Sequence, residues 1–101
     1  MLLGNYVACD AFDEFKPLRV VTHAHADHMI GLQKSLKKCE KVLMTKGTKD
    51  LIDAMQGPLS LMGGCVEPLG YNENVQYKEE RITLFKADHI LGAAQVLIED
   101  A

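Results

Sequence analysis

The stretch VTHAHADHMIGL, residues 21–32, puts His23, His25, Asp27 and His28 within six positions of a chain that holds four histidines in all. It follows LRVVTH (18–23), a short β-branched apolar run bounded by a turn, which predicts a buried strand. His23 and His25 stand two apart, so in extended chain both rings project to the same side and can share one ion. Asp27 and His28 come where the chain bends towards a helix. They aim from another direction and suit a second, adjacent ion. Imidazole with carboxylate favours Zn²⁺, with Mn²⁺ or Fe²⁺ as alternatives. The plainer reading is a chance cluster or a histidine-rich loop that merely attracts metal. A dense H-x-H-x-D-H directly behind a buried strand weighs against it.

Working outward, YVACDAF (6–12) reads as a strand with Asp10 near its end, and FDEFKP turns the chain at Pro17. Beyond the cluster, Met29, Leu32, Leu36 and Cys39 recur at steps of three and four, which predicts a helix beginning at Asp27 or His28 and ending on Lys37 and Lys38. KVLMT (41–45) predicts a second buried strand. TKDLIDAMQG (48–57) predicts a helix capped by Thr48 and stopped at Gly57-Pro58. LSLMGGC (59–65) is ambiguous. VEPL, NVQYK, RITLFKA and AQVLIED are short strand-like pieces, and KEE between Tyr77 and Arg81 suits a hairpin. The order predicts an α/β (α+β) fold: a mixed sheet with helices on one face and a strand-rich second half.

The 101 residues are enough for one small domain. Cys9, Cys39 and Cys65 lack CxxC spacing and predict reduced thiols. No apolar run is long enough to span a bilayer, and MLLGNYVACDAF lacks the basic start of a signal peptide, so the expected location is cytoplasmic. The net charge of -3 argues against a protein that coats nucleic acid through a basic face. It leaves room for an enzyme that grips phosphate through bound cations. The fourth histidine, His89, lies in FKADHILGAAQVLIED behind another strand-like run. His23, His25 and His89 plus water would make the open coordination of a catalytic zinc.

THAHADH resembles the H-x-H-x-D-H signature of the metallo-β-lactamase superfamily, and ADHILGAAQVLIE resembles its third motif. The second likeness is to the β-CASP and related nuclease branch, especially exonucleases related to mRNA 3′-end processing. It spans roughly residues 8–100 and implies the N-terminal half of an αββα sandwich, one partial domain over 1–101. It implies that His23, His25 and His89 ligate a first zinc, and that Asp27 and His28 ligate a second. Asp27 would also orient the nucleophile in hydrolysis of RNA or DNA. Asp10 would support the ligand loop by hydrogen bonding without binding metal. Two departures stand out: Asp88 replaces a glycine before His89, and Gly31 comes one residue late. Asp88 is expected to face solvent or to orient His89.

In that family a later aspartate bridges the two metals, so this chain alone is expected to complete one site and to hold a second ion weakly. An exposed apolar sheet face is also expected, driving self-association or packing with a C-terminal half. Two other readings stay open. One is a hydrolase of a small-molecule ester, thioester or lactam; the other is a non-catalytic metal-binding module.

Overall fold

The computed structural model describes residues 1–57, 64–88 and 90–100. Five strands form the first sheet in the order β1 (Leu2–Leu3), β2 (Val7–Cys9), β3 (Leu18–Val20), β4 (Lys41–Thr45) and β5 (Val66–Leu69). β1 runs antiparallel to β2; the other neighbours are parallel. Helix α1 (Leu32–Lys38) connects β3 to β4, and α2 (Lys46–Gln56) lies between β4 and β5. Successive crossovers that move the same way along a sheet place their helices on one face. The second sheet is an antiparallel meander of β6 (Asn74–Tyr77), β7 (Glu80–Lys86) and β8 (Ala94–Asp100).

The side-chain period of two splits the core into two layers. Leu18, Val20 and Leu43 face the second sheet and pack with Ile82, Leu84 and Ala94. Val42 and Met44, on the opposite face of β4, pack with Leu32, Leu36 and Ile52 of the two helices. Helices, first sheet and second sheet therefore form three layers, with the parallel strands buried on both faces as their unbroken apolar runs require. Pro68 sits in β5, the edge strand, where a missing N–H costs the ladder least.

Several sequence expectations need correction. The helix foreseen from Asp27 or His28 is two pieces: a 3₁₀ turn over Ala26–His28, then α1 from Leu32. Gly31 separates them at φ 74, a left-handed conformation that no continuous helix passes through. The second helix is capped by Thr45, not Thr48; the Thr45 hydroxyl accepts from the Thr48 amide at 3.2 Å. The strand within LRVVTH is Leu18–Val20, with Val21 and Thr22 still making backbone hydrogen bonds beyond it, and Leu2–Leu3 forms a strand with no counterpart in the sequence reading. The turn inside KEE is Lys78-Glu79, closed by the Tyr77–Glu80 pair. Most of LSLMGGC lies outside the described residues. The apolar sheet face expected to be bare is covered by the second sheet. The outer face of that second sheet is mixed: Phe85 lies opposite Gln95, Thr83 opposite Leu97, and Arg81 pairs with Glu99 at 3.4 Å. Among the described residues no helix is long and apolar enough to cross a membrane.

The loop between β7 and β8 is docked on the start of α2. Gly92 there has φ 83, and its carbonyl accepts from the hydroxyls of Thr45 at 2.6 Å and Thr48 at 3.0 Å. A Cβ on Gly92 would meet the Thr48 amide nitrogen at 2.2 Å, which is backbone and cannot give way. Gly92→Ala is expected to lower unfolding free energy by at least about 2 kcal/mol, from left-handed strain plus the displaced loop. A urea melt checks it; Gly57→Ala, with open space around the Cβ, is the control for strain alone.

Candidate metal centre

The parallel strands β2 and β3 end side by side, and their carboxyl ends carry the site. In open parallel sheets that edge is where ligand-binding loops gather. Asp10 follows β2 directly, with its amide bonded to the Val20 carbonyl at 2.8 Å. Its φ of 56 turns the side chain back over the end of β3, a conformation aspartate tolerates better than most residues. From there Asp10 Oδ1 accepts the Thr22 amide at 2.7 Å. Oδ2 is 2.6 Å from the Thr22 hydroxyl and 2.7 Å from His28 Nδ1. Asp10 therefore ties the strand end to His28 at the far end of the histidine cluster, five residues on in sequence from His23.

The cluster itself is compact. The ring centroids of His23 and His28 are 3.9 Å apart, His23 and His25 5.9 Å, and His25 and His28 6.2 Å. The turn over Ala26–His28 makes this possible, because its bend carries His28 back towards the strand end. The His28 amide bonds to the His25 carbonyl at 2.8 Å and closes the bend. His25 Nδ1 stands 3.9 Å from Asp27 Oδ2, and both side chains are mostly exposed, 55% and 84%. Asp88 is exposed. His89 lies outside the described residues, so its expected place as third ligand of His23 and His25 is neither met nor missed.

Among the described residues, no three His, Cys, Asp or Glu side chains converge on one coordination sphere. The chemistry of the donor set nevertheless suits divalent metal. Three imidazoles and a carboxylate share one loop, and the His25 and Asp27 side chains are mostly exposed. His28 Nδ1 is engaged by Asp10, so Nε2 is the atom that would face a metal ion.

Two residues of the site carried no role in the sequence reading. Thr22 stands at its centre, bonded to Asp10 through both backbone and side chain; the signal was a hydroxyl residue at a strand end immediately before the cluster. Arg19 is fully buried beneath the loop. Its Nη2 donates to the His28 carbonyl at 3.0 Å, and Nη1 donates to the Ile30 carbonyl at 2.9 Å and to Ser35 Oγ at 3.0 Å. Its signal was the alternation of β3, which turns Arg19 to the helix side while Leu18 and Val20 face the second sheet.

Cys9 ends β2, buried and adjacent to Asp10. Burial, then the neighbouring Asp10 charge, pushes its thiol up to about 11. A thiol that stays protonated is a poor nucleophile and ligand. The proton is held more tightly folded than unfolded, so stability is expected to be flat below pH 9 and to fall as pH rises from 9 through 11. Urea melts across that range check it, and Cys9→Ala should remove part of the fall.

Among solved structures, the fold is similar to that of the metallo-beta-lactamase GOB-18 from Elizabethkingia meningoseptica, with a TM-score of 0.64 at 18% identity. The match takes in 86% of this chain and 36% of that chain. The architecture is thus that of part of a metallo-β-lactamase fold. No protein-family model matches the sequence, and no curated protein matches it.

Proposed function

We propose that this chain is the N-terminal, metal-binding part of a metal-dependent hydrolase, and that its substrate is a nucleic-acid phosphodiester. The observation that carries the first half is the H-x-H-x-D-H loop at the carboxyl end of β3, held there by Asp10 from the adjacent strand end. The second half rests on the likeness of ADHILGAAQVLIE to the nuclease branch of the superfamily. In this reading His23, His25 and His89 hold a first divalent cation, and Asp27 and His28 a second. When bound, such cations supply Lewis acidity towards an anionic ester. The chain's own residues do the rest. Asp27, an exposed carboxylate at the loop tip, accepts a hydrogen bond from the attacking water and orients it. Asp10 and Arg19 keep the loop from drifting, so that the donors are in place before substrate arrives.

A second reading, hydrolysis of a lactam, thioester or ester, is favoured by the structural likeness to a metallo-beta-lactamase. The test is one panel: zinc- or manganese-loaded protein, as this chain and as any longer product of the same gene. It is offered labelled RNA, labelled DNA, a chromogenic β-lactam and a thioester. Cleavage of RNA or DNA that falls about 100-fold or more in Asp27→Ala is the expected result. Turnover of the lactam or thioester alone would transfer the proposal to the second reading.

A further inference from the structure

Building on the metal-site reading, we infer that Thr22 is a positioning residue that fixes the proton of His23 on Nδ1 and so presents Nε2 to a metal ion. The donors around Thr22 Oγ1 decide the tautomer. Asp10, as a carboxylate, has acceptors only. The Thr22 hydroxyl lies 2.6 Å from Asp10 Oδ2, so its single proton goes there. The same oxygen lies 2.9 Å from His23 Nδ1 and has only lone pairs left to offer it. His23 Nδ1 must then be the donor. A neutral imidazole carries one ring proton, so with Nδ1 protonated the lone pair lies on Nε2, the atom through which His23 would bind a metal ion. Asp10 fixes His28 in the same way and directly, because Oδ2 can only accept from His28 Nδ1 at 2.7 Å. One carboxylate thereby sets both rings, one by contact and one through a hydroxyl.

The surroundings make Thr22 suited to the task. Its backbone is held on both sides, the amide by Asp10 Oδ1 at 2.7 Å and the carbonyl by the Ala94 amide at 2.8 Å. The side chain thus has a fixed origin, and removing its hydroxyl leaves the strand end tethered. The Ala94 contact also ties this residue to the first residue of β8, so the loop between β7 and β8 and the histidine loop share one anchor.

The test uses Thr22→Val, which keeps the shape and loses the hydroxyl, with Thr22→Ser as the conservative variant. In the metal-free protein at pH 8, long-range ¹⁵N–¹H NMR of the imidazoles reads the tautomer directly. The expected spectrum shows His23 protonated on Nδ1 in the original chain, a shift towards the Nε2–H form in Thr22→Val, and recovery in Thr22→Ser. Zinc affinity by chelator competition is expected to fall about 10-fold or more in Thr22→Val and to recover in Thr22→Ser. An Nε2–H form in the original chain, or a His23 tautomer unchanged in Thr22→Val, overturns the inference. If the tautomer moves as stated while the original chain takes up no zinc, Thr22's positioning role holds and it is the metal-site reading that fails.

Discussion

Asp10→Ala is expected to be the most damaging single substitution at the site. It removes the acceptor of three hydrogen bonds, to the Thr22 amide, the Thr22 hydroxyl and His28 Nδ1, from a side chain that is only 15% exposed. Hydrogen bonds to a charged group are worth about 1.5–3 kcal/mol each and do not add fully. Alanine also tolerates φ 56 poorly, at a further cost of about 1 kcal/mol. A total loss of roughly 3–5 kcal/mol is a large part of the stability of a domain this size. Asp10→Asn separates the two roles. Asparagine accepts the left-handed conformation and keeps one acceptor oxygen, so its stability loss should be about 1–2 kcal/mol. Its amide end, however, donates where Oδ2 accepted, which drives the His28 proton to Nε2. Zinc affinity should therefore fall 10- to 100-fold in Asp10→Asn even where the fold survives. Urea melts and chelator competition on the two variants read the two effects. Loss of less than about 0.5 kcal/mol in Asp10→Ala would mean the contacts contribute nothing net, the usual size of a neutral surface change.

Arg19→Ala is expected to be comparably severe by a different route. The guanidinium is fully buried, and among the described residues no carboxylate forms an ion pair with it. Burial lowers its pKa, the mark of a charge held away from water. What offsets that cost is a set of three acceptors: the carbonyls of His28 and Ile30 and the hydroxyl of Ser35. The first two belong to the loop and the third to α1, so Arg19 holds the loop's exit against the helix that follows. Alanine leaves a cavity and unpartnered carbonyls, for an expected loss of about 3–5 kcal/mol. Arg19→Met fills the volume and should recover about half. Amide hydrogen exchange over residues 26–31 should rise in both variants more than exchange in β4, because the loop loses its clamp while the sheet keeps its ladder. Equal increases in the two regions would make Arg19 a general core residue and nothing more.

Much of this was legible in the sequence, and the reasons differ by element. KVLMT was found with its observed limits because it is a short, almost wholly apolar run, and AQVLIED because turn residues precede it. The position of the histidine loop at a strand end was legible from LRVVTH in front of it. The break after His28 was not, since Met29, Leu32 and Leu36 keep helical spacing across Gly31 and only its positive φ reveals the interruption. Thr45 and Thr48 are both capping residues three apart, and the backbone alone decides that the first is the cap. The cover over the first sheet is a tertiary fact: nothing local in RITLFKA says that Ile82 and Leu84 will meet Leu18 and Leu43. Arg19 was missed, although the alternation of β3 pointed to it, because a charge inside an apolar run reads as facing water. Thr22 was missed, although it stands directly before the cluster, because a threonine there also reads as an ordinary β-branched strand residue.

The central claim is that the loop at residues 23–28 is a metal site. It is tested most directly by zinc stoichiometry and affinity, read by equilibrium dialysis with elemental analysis, in the original chain and in the double variant His23→Ala/His25→Ala. The account predicts at least one tightly held zinc per original chain and its loss in the double variant, with the fold retained by circular dichroism. Zinc content that is the same in both, or absent from the original chain after dialysis against excess zinc, would contradict it.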